Sequence, residues 1–143
     1  MTGLKHLKQL HMAAIREKYP ALPEEAIAAP MFSDSTANGL TKAIVAYIGF
    51  IGGWATRVSA TGRMVDKGTE VRAKMVYIPG TTKRGTADIM GVVRGRAVSI
   101  EVKIGRDRQS KEQRQVEQAI TTAGGLYYVA RDFQSTYEWI NSL

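Results

Sequence analysis

The 143-residue sequence predicts a single α/β domain, a mixed β-sheet flanked by helices in the order α, α, β, β-hairpin, α, β, α. Three observations point there. Apolar residues recur at helical spacing near both ends and in the interior; residues 85–103, GTADIMGVVRGRAVSIEVK, read as two strands around a glycine turn; and a glycine-stopped helix is followed at once by the compact apolar strand LYYVA, 126–130.

Leu4, Leu7, Met12 and Ile15 sit near helical spacing in residues 4–18, and Pro20 and Pro23 should stop that helix. Residues 1–34 thus form a helical arm and a punctuated connector, with one helical turn expected at 24–28. Ser35 or Thr36 can cap a second helix with Leu40, Ile44, Tyr47 and Ile48 inward and Gly52-Gly53 as its stop. A strand is expected over 54–60, followed by a long basic excursion, 61–85, with a short strand at 71–78. The hairpin strands fall at about 86–93 and 97–104. The next helix, 110–123, turns Val116, Ala119, Ile120 and Ala123 inward, and STYEWINSL closes the chain as a helix capped by Ser135.

The hairpin keeps three charges among apolar neighbours. Alternation places Val98, Ile100, Val102 and Ile104 on one face of its second strand and Ser99, Glu101 and Lys103 on the other. A two-residue turn at Arg94-Gly95 sets Asp88 opposite Glu101, with Cβ atoms about 5 Å apart, and a turn at Gly95-Arg96 sets it opposite Lys103. Either keeps all three on one face; a three-residue loop without a bulge separates them. Adjacent carboxylates repel unless a cation intervenes. An oxygen-loving divalent cation such as Mg²⁺ removes that conflict, and a plain cross-strand ion-pair triad with Lys103 is the alternative.

Composition limits the rest. No cysteine is present, so disulfides and thiolate chemistry are excluded, and His6 and His11 alone supply a zinc site poorly. No apolar run approaches a membrane span and the start lacks the apolar core of a signal peptide, so the expectation is a soluble, cytoplasmic protein. Lys and Arg total 20 against 13 acidic residues, and residues 57–114 hold 14 of those basic residues with only 6 acidic ones. A clustered basic excess points to a polyanion such as nucleic acid, or to a merely solvated basic face.

Asp88 followed by Glu101-Val102-Lys103 on the next strand resembles the metal-dependent PD-(D/E)xK nuclease superfamily. With GTADI ahead, the basic linker GRDRQ and the helix start SKEQ behind, the segment is similar to the VRR-NUC branch, which groups with Holliday-junction resolvases. The resemblance covers about residues 35–131. It implies a restriction-endonuclease-like αβββαβ core with an extra N-terminal helix, residues 35–143 forming the nuclease domain. It further implies that Asp88, Glu101 and the Val102 carbonyl hold Mg²⁺ or Mn²⁺, that Lys103 orients or deprotonates the attacking water, and that Gln113 assists. Ser110 to Gln113 also reads as a capping box, which gives Gln113 a second explanation. Where many members carry a glutamate on the preceding helix, this chain has Asn38, which favours a single metal. Thr86-Ala87 stand where the family has a proline before the aspartate.

Lys83 and Arg84 before Asp88, and Arg106, Arg108 and Lys111 after the Glu-x-Lys strand, flank that site and suit phosphates on either side of a cut. Arg57 joins them if it lies on the catalytic face; Trp54 and Trp139 either stack bases or fill the core. The expected activity is an endonuclease acting on branched or structured DNA in recombination, repair or phage replication. A nucleic-acid-binding module that keeps the fold but turns over poorly is the alternative. Junction cleavage would call for a homodimer, with the N-terminal helix as its first candidate interface or else packed on its own domain.

Overall fold

The computed structural model describes residues 1–59 and 61–143. Helix α1 (Gly3–Lys18) leads through a 3₁₀ turn at Glu24–Ala26 to α2 (Ala37–Phe50), and then to strands β1 (Trp54–Arg57), β2 (Arg63–Asp66) and β3 (Met75–Ile78). Strands β4 (Ile89–Val93) and β5 (Arg96–Val102) form the hairpin, and α3 (Lys111–Thr122), β6 (Leu126–Ala130) and α4 (Phe133–Ser142) complete the chain. The main sheet is mixed, in the order β1-β4-β5-β6: β1 and β5 run antiparallel to β4, and β6 runs parallel to β5. A right-handed crossover through a helix is the usual solution for such a parallel pair, and α3 supplies the helix between β5 and β6.

The hairpin register is fixed by Arg94-Gly95, both with positive φ (49° and 77°), the backbone of a two-residue primed turn. Ile89 consequently faces Ile100 and Val93 faces Arg96. One face of the sheet presents Ile89, Val93, Val98, Ile100, Val102 and Ala130 to Leu7 of α1, Leu40, Ile44, Tyr47 and Ile48 of α2, and Phe133 and Ile140 of α4; all belong to one buried core. The inward stripe expected of α2 is therefore fully used. Helix α2 starts on Thr36, whose hydroxyl accepts from the Gly39 N–H, and ends in a left-handed Gly52 that lets Gly53 N–H bond back to the Ile48 carbonyl at 2.9 Å. Helix α1 sits on this layer, with Leu7 fully buried and His6 Nδ1 3.0 Å from the Tyr137 hydroxyl.

Among the described residues the other face carries only α3, which lies against β6 and reaches β5 through Gln113, while Trp54, Met90 and Val92 on the β1–β4 half stay exposed. Because α3 packs so thinly, its expected stripe is half realised: Val116 and Ile120 are half-buried, but Ala119 and Ala123 face solvent. Trp54 is likewise not a core residue, whereas Trp139 stacks on Tyr128 with ring centroids 4.5 Å apart.

Several boundaries differ from expectation. Strand β1 stops at Arg57 instead of running to residue 60, although Val58 N–H still reaches the Asp88 carbonyl at 2.7 Å; Ala60 lies outside the described residues. The strand expected at 71–78 shortens to Met75–Ile78, and its partner β2 was hidden by a polar, alternating RMVD with no apolar run to mark it. Helix α4 begins three residues early, at Phe133, because Asp132 rather than Ser135 is its cap and accepts from the Ser135 N–H at 2.8 Å.

Candidate metal and catalytic site

The site grows from the end of the hairpin farthest from its turn. Beyond the last ladder pair, Ile89 with Ile100, the same register carries Asp88 opposite Glu101, which leaves Asp88, Ser99 and Glu101 on the α3 side of the sheet. Asp88 takes over the ladder there: its Oδ2 accepts from the Val102 N–H at 2.8 Å. In an antiparallel pair, a residue's N–H and C=O point to the same neighbouring strand, so the Val102 carbonyl is directed to the Asp88 side as well. Lys103, one residue past β5, donates its N–H to the Ala130 carbonyl at 2.9 Å and so stays in line with the parallel strand.

These charges do not lie on a surface. Glu101 is 1% exposed and Lys103 8%, and the two form a buried ion pair; among the described residues Lys103 makes no ion pair with Asp88, so the plain cross-strand triad is present only in part. Glu101 Oε1 takes two partners, the Lys103 ammonium at 3.1 Å and the Gln113 side-chain amide at 2.5 Å, while Oε2 is buried with no partner among the described residues. Burial first, and the Asp88 charge second, push the Glu101 carboxyl above the ordinary carboxylate range, against the opposing pull of Lys103. Lys103 also lies 3.5 Å from Asp107 in the loop that follows.

Gln113 forms the expected capping box and also contacts Glu101. Its Oε1 accepts from the Ser110 N–H at 2.8 Å while Ser110 Oγ accepts from the Gln113 N–H, a complete capping box, and its Nε2 reaches Glu101. The cap therefore fixes the amide orientation that meets the carboxylate. Gly85 presses this helix start onto the turn before Asp88: its φ is +85°, and a Cβ there would sit 2.6 Å from the Glu112 carbonyl.

No protein-family model matches the chain, and no curated protein matches it.

The basic residues divide. Arg84 lies 3.7 Å from Glu112 and, with Lys83, occupies the exposed turn leading to Asp88. Arg106 and Arg108 line a polar cleft of about 720 Å³ together with Arg114 and Arg131, neither of which the sequence had singled out. Arg131 holds the loop, donating to the Asp107 carbonyl at 3.2 Å, and sits beside Lys103 because the parallel pair Val102 and Ala130 ends the two strands together. Lys111 opens α3 at its exposed face. Arg57 is not on the Asp88 face: it pairs with Ile89, whose side chain enters the core, and its guanidinium binds Asn38 Oδ1 at 2.7 Å. A strand's partner register, invisible in its own sequence, decides that parity. Asn38 is thereby engaged by a cation.

Tyr127 was also missed. It pairs with Ser99 on the α3 side, and burial, reinforced by the Glu101, Glu117 and Asp88 carboxylates against the opposing Gln109 side chain, pushes its hydroxyl up to about 12. The alternation of LYYVA held the signal, but only once β6 was known to lie parallel to β5.

Proposed function

We propose that the protein is a Mg²⁺- or Mn²⁺-dependent endonuclease of the PD-(D/E)xK type, with a restriction-endonuclease-like core, acting on branched or structured DNA. The observation that carries this reading is Glu101 Oε2, a carboxylate oxygen buried with no partner among the described residues and beside a second carboxylate. An unpaired buried charge is costly, and a divalent cation held by Asp88, Glu101 and the Val102 carbonyl offsets it with the oxygen donors such a cation prefers. Bound there, the cation supplies Lewis-acid polarisation of a phosphate oxygen and a more acidic water.

The chain's own groups do the rest. Lys103, tethered by Glu101 and Asp107, carries the ammonium that orients the attacking water and offsets charge on the phosphate. Gln113 fixes the Glu101 oxygen that faces Lys103, leaving the other free for the ion. Hydrolysis forms one P–O bond from water and breaks the P–O bond to the leaving oxygen; the water gives up a proton and the leaving oxygen gains one. Arg84, Lys83, Arg106 and Arg108 lie on the two loops either side of Asp88 and Lys103, and Lys111 opens the helix that follows, where phosphates flanking the cut would run.

The alternative, a DNA-binding module with poor turnover, draws on Asn38, which gives Arg57 an acceptor where a third carboxylate would strengthen metal binding. Duplex, flap and four-way-junction DNA incubated with and without Mg²⁺ or Mn²⁺ separates the two. Cutting by the native protein that vanishes in D88A and K103A supports the enzyme. Cutting that survives both removes this assignment, and binding without cutting leaves the module.

A further inference from the structure

The β2–β3 ribbon takes no part in the site described above. It leaves the main sheet after Val58, whose N–H bonds the Asp88 carbonyl, and closes at its base through Thr82 Oγ1 to the Ser59 carbonyl at 2.9 Å. Beyond that base, among the described residues, β2 and β3 pack substantially only on each other. The pairing runs from Arg63 with Ile78 through Asp66 with Met75, continues with the Lys67 N–H on the Lys74 carbonyl, and ends in the bridge between Thr69 and Arg72. At about 3.4 Å per residue the ribbon is roughly 20 Å long.

The ladder pauses at residues 67–68 and 73–74, where Asp66 takes the Lys74 N–H, but the Thr69–Arg72 bridge keeps the same register, and that register sorts the charges. Alternation places Arg63, Lys67, Arg72 and Lys74 on one face with Val65, Val76 and Ile78, and sends the segment's acids, Asp66 and Glu70, to the other with Met64, Met75 and Tyr77. Asp66 is spent internally: its carboxylate accepts from the Gly68 and Lys74 N–H groups at 2.8 Å each, which hold it below the usual carboxylate range. Among the described residues none of the four cations is in a salt bridge. Like charges facing each other across a ladder, as Lys67 and Lys74 do, destabilise it unless something external offsets them. Lysines on an exposed ribbon also discourage edge pairing, but that purpose does not require every acid to be on the opposite face.

We infer that the ribbon is an arm whose cationic face lies along the phosphate backbone of double-stranded DNA beside the metal site. The inference rests on the DNA reading proposed above and adds to it the duplex segment and the four residues that grip it. Rooted next to Asp88, the arm extends the footprint past what the loops at 83–84 and 105–111 reach. A row of cations spaced by the β register matches the regular phosphate spacing of a B-form duplex better than that of a single strand.

The test measures binding by fluorescence anisotropy in EDTA, so that metal-dependent cutting does not interfere, on duplex DNA, single-stranded DNA and duplex RNA of equal length over a range of salt. R63A/K67A/R72A/K74A is expected to weaken duplex DNA binding at least about tenfold and to lower the log–log salt slope by about 3 to 4. K5A/K8A/R16A/K18A, which removes the same charge from α1, should change affinity less than about twofold. The smaller variant R72A/K74A, with an expected slope loss of about 2, serves if the fourfold variant melts differently from the native chain. Native-like affinity and slope in the ribbon variants overturns the inference, as does a loss matched by the α1 variant, an equal loss on all three nucleic acids, or a native protein that does not bind duplex DNA. Cutting is read separately with Mg²⁺ or Mn²⁺: a native chain that binds through the ribbon but never cuts retires the nuclease reading alone.

Discussion

Glu101 is the residue on which most of the proposed chemistry turns, and its burial makes the protein's stability sensitive to pH. A carboxyl whose folded pKa lies above its unfolded one holds more protons folded than unfolded, so stability falls as pH rises from the ordinary carboxylate range through the raised value. E101Q keeps an acceptor for Lys103 and removes that titration. In EDTA, melts followed by circular dichroism should show the native chain losing stability over this window and E101Q losing less, so that the variant is the more stable one at neutral pH. Adding Mg²⁺ or Mn²⁺ should reverse the order by raising the native melting temperature and leaving E101Q unmoved. An E101Q melting temperature below that of the native chain throughout would show that the buried charge is already compensated. Gln113 offers a second test, since Q113E retains the oxygen that caps α3 but points a carboxylate at Glu101. It should destabilise the metal-free protein by about 1 to 3 kcal/mol, measured by urea denaturation. The capping box at Ser110 to Gln113 was legible in the sequence; that the same side chain also meets Glu101 needed the crossover geometry.

Among the elements, the hairpin was the most legible because one turn sets every pairing in it. Two positive-φ residues at Arg94-Gly95 choose one register of the two open ones, and that choice puts Asp88 opposite Glu101. The edge strand β1 was legible as a strand but not in its parity, which is why Arg57 turns toward Asn38 rather than the carboxylates. Helix α3 was over-read: its alanines at 119 and 123 fit an inward stripe, yet the helix rests on a single layer and buries none of its residues fully. Its hold on the sheet depends instead on its start, and two glycines compare that contact with a free turn. Gly95, φ +77°, has nothing within 4 Å of an added Cβ, so G95A should cost about 1 kcal/mol of backbone strain. Gly85, at φ +85°, adds a clash with the Glu112 backbone to the same strain, so G85A should cost about 2 to 4 kcal/mol and blunt the melting-temperature rise given by divalent cations. Equal melting temperatures for the two variants would mean that α3 is not pressed onto the 83–86 turn.

At the scale of the whole molecule the two faces of the sheet have divided labour. One carries α1, α2 and α4 over a continuous apolar core; the other carries α3, the carboxylates and an open apolar stretch at Trp54, Met90 and Val92. The stability of the domain therefore resides mostly on the face away from the site. No helix is long and apolar enough to cross a membrane among the described residues, and α1 spends its apolar side on α2 and α4. Leu7 marks that contact, fully buried in the shared core, so L7A should cost about 3 kcal/mol through lost transfer energy and the cavity left behind. Because the sheet lies between Leu7 and the carboxylates, the loss should leave the site's shape intact: L7A should show a much lower melting temperature but the same upward shift on adding Mg²⁺ or Mn²⁺ as the native chain. D88A is the opposite case, removing the cation response while leaving the core untouched. A shift abolished in both would mean that the helical layer and the carboxylates are one cooperative unit, with α1 as much a part of the site as the hairpin.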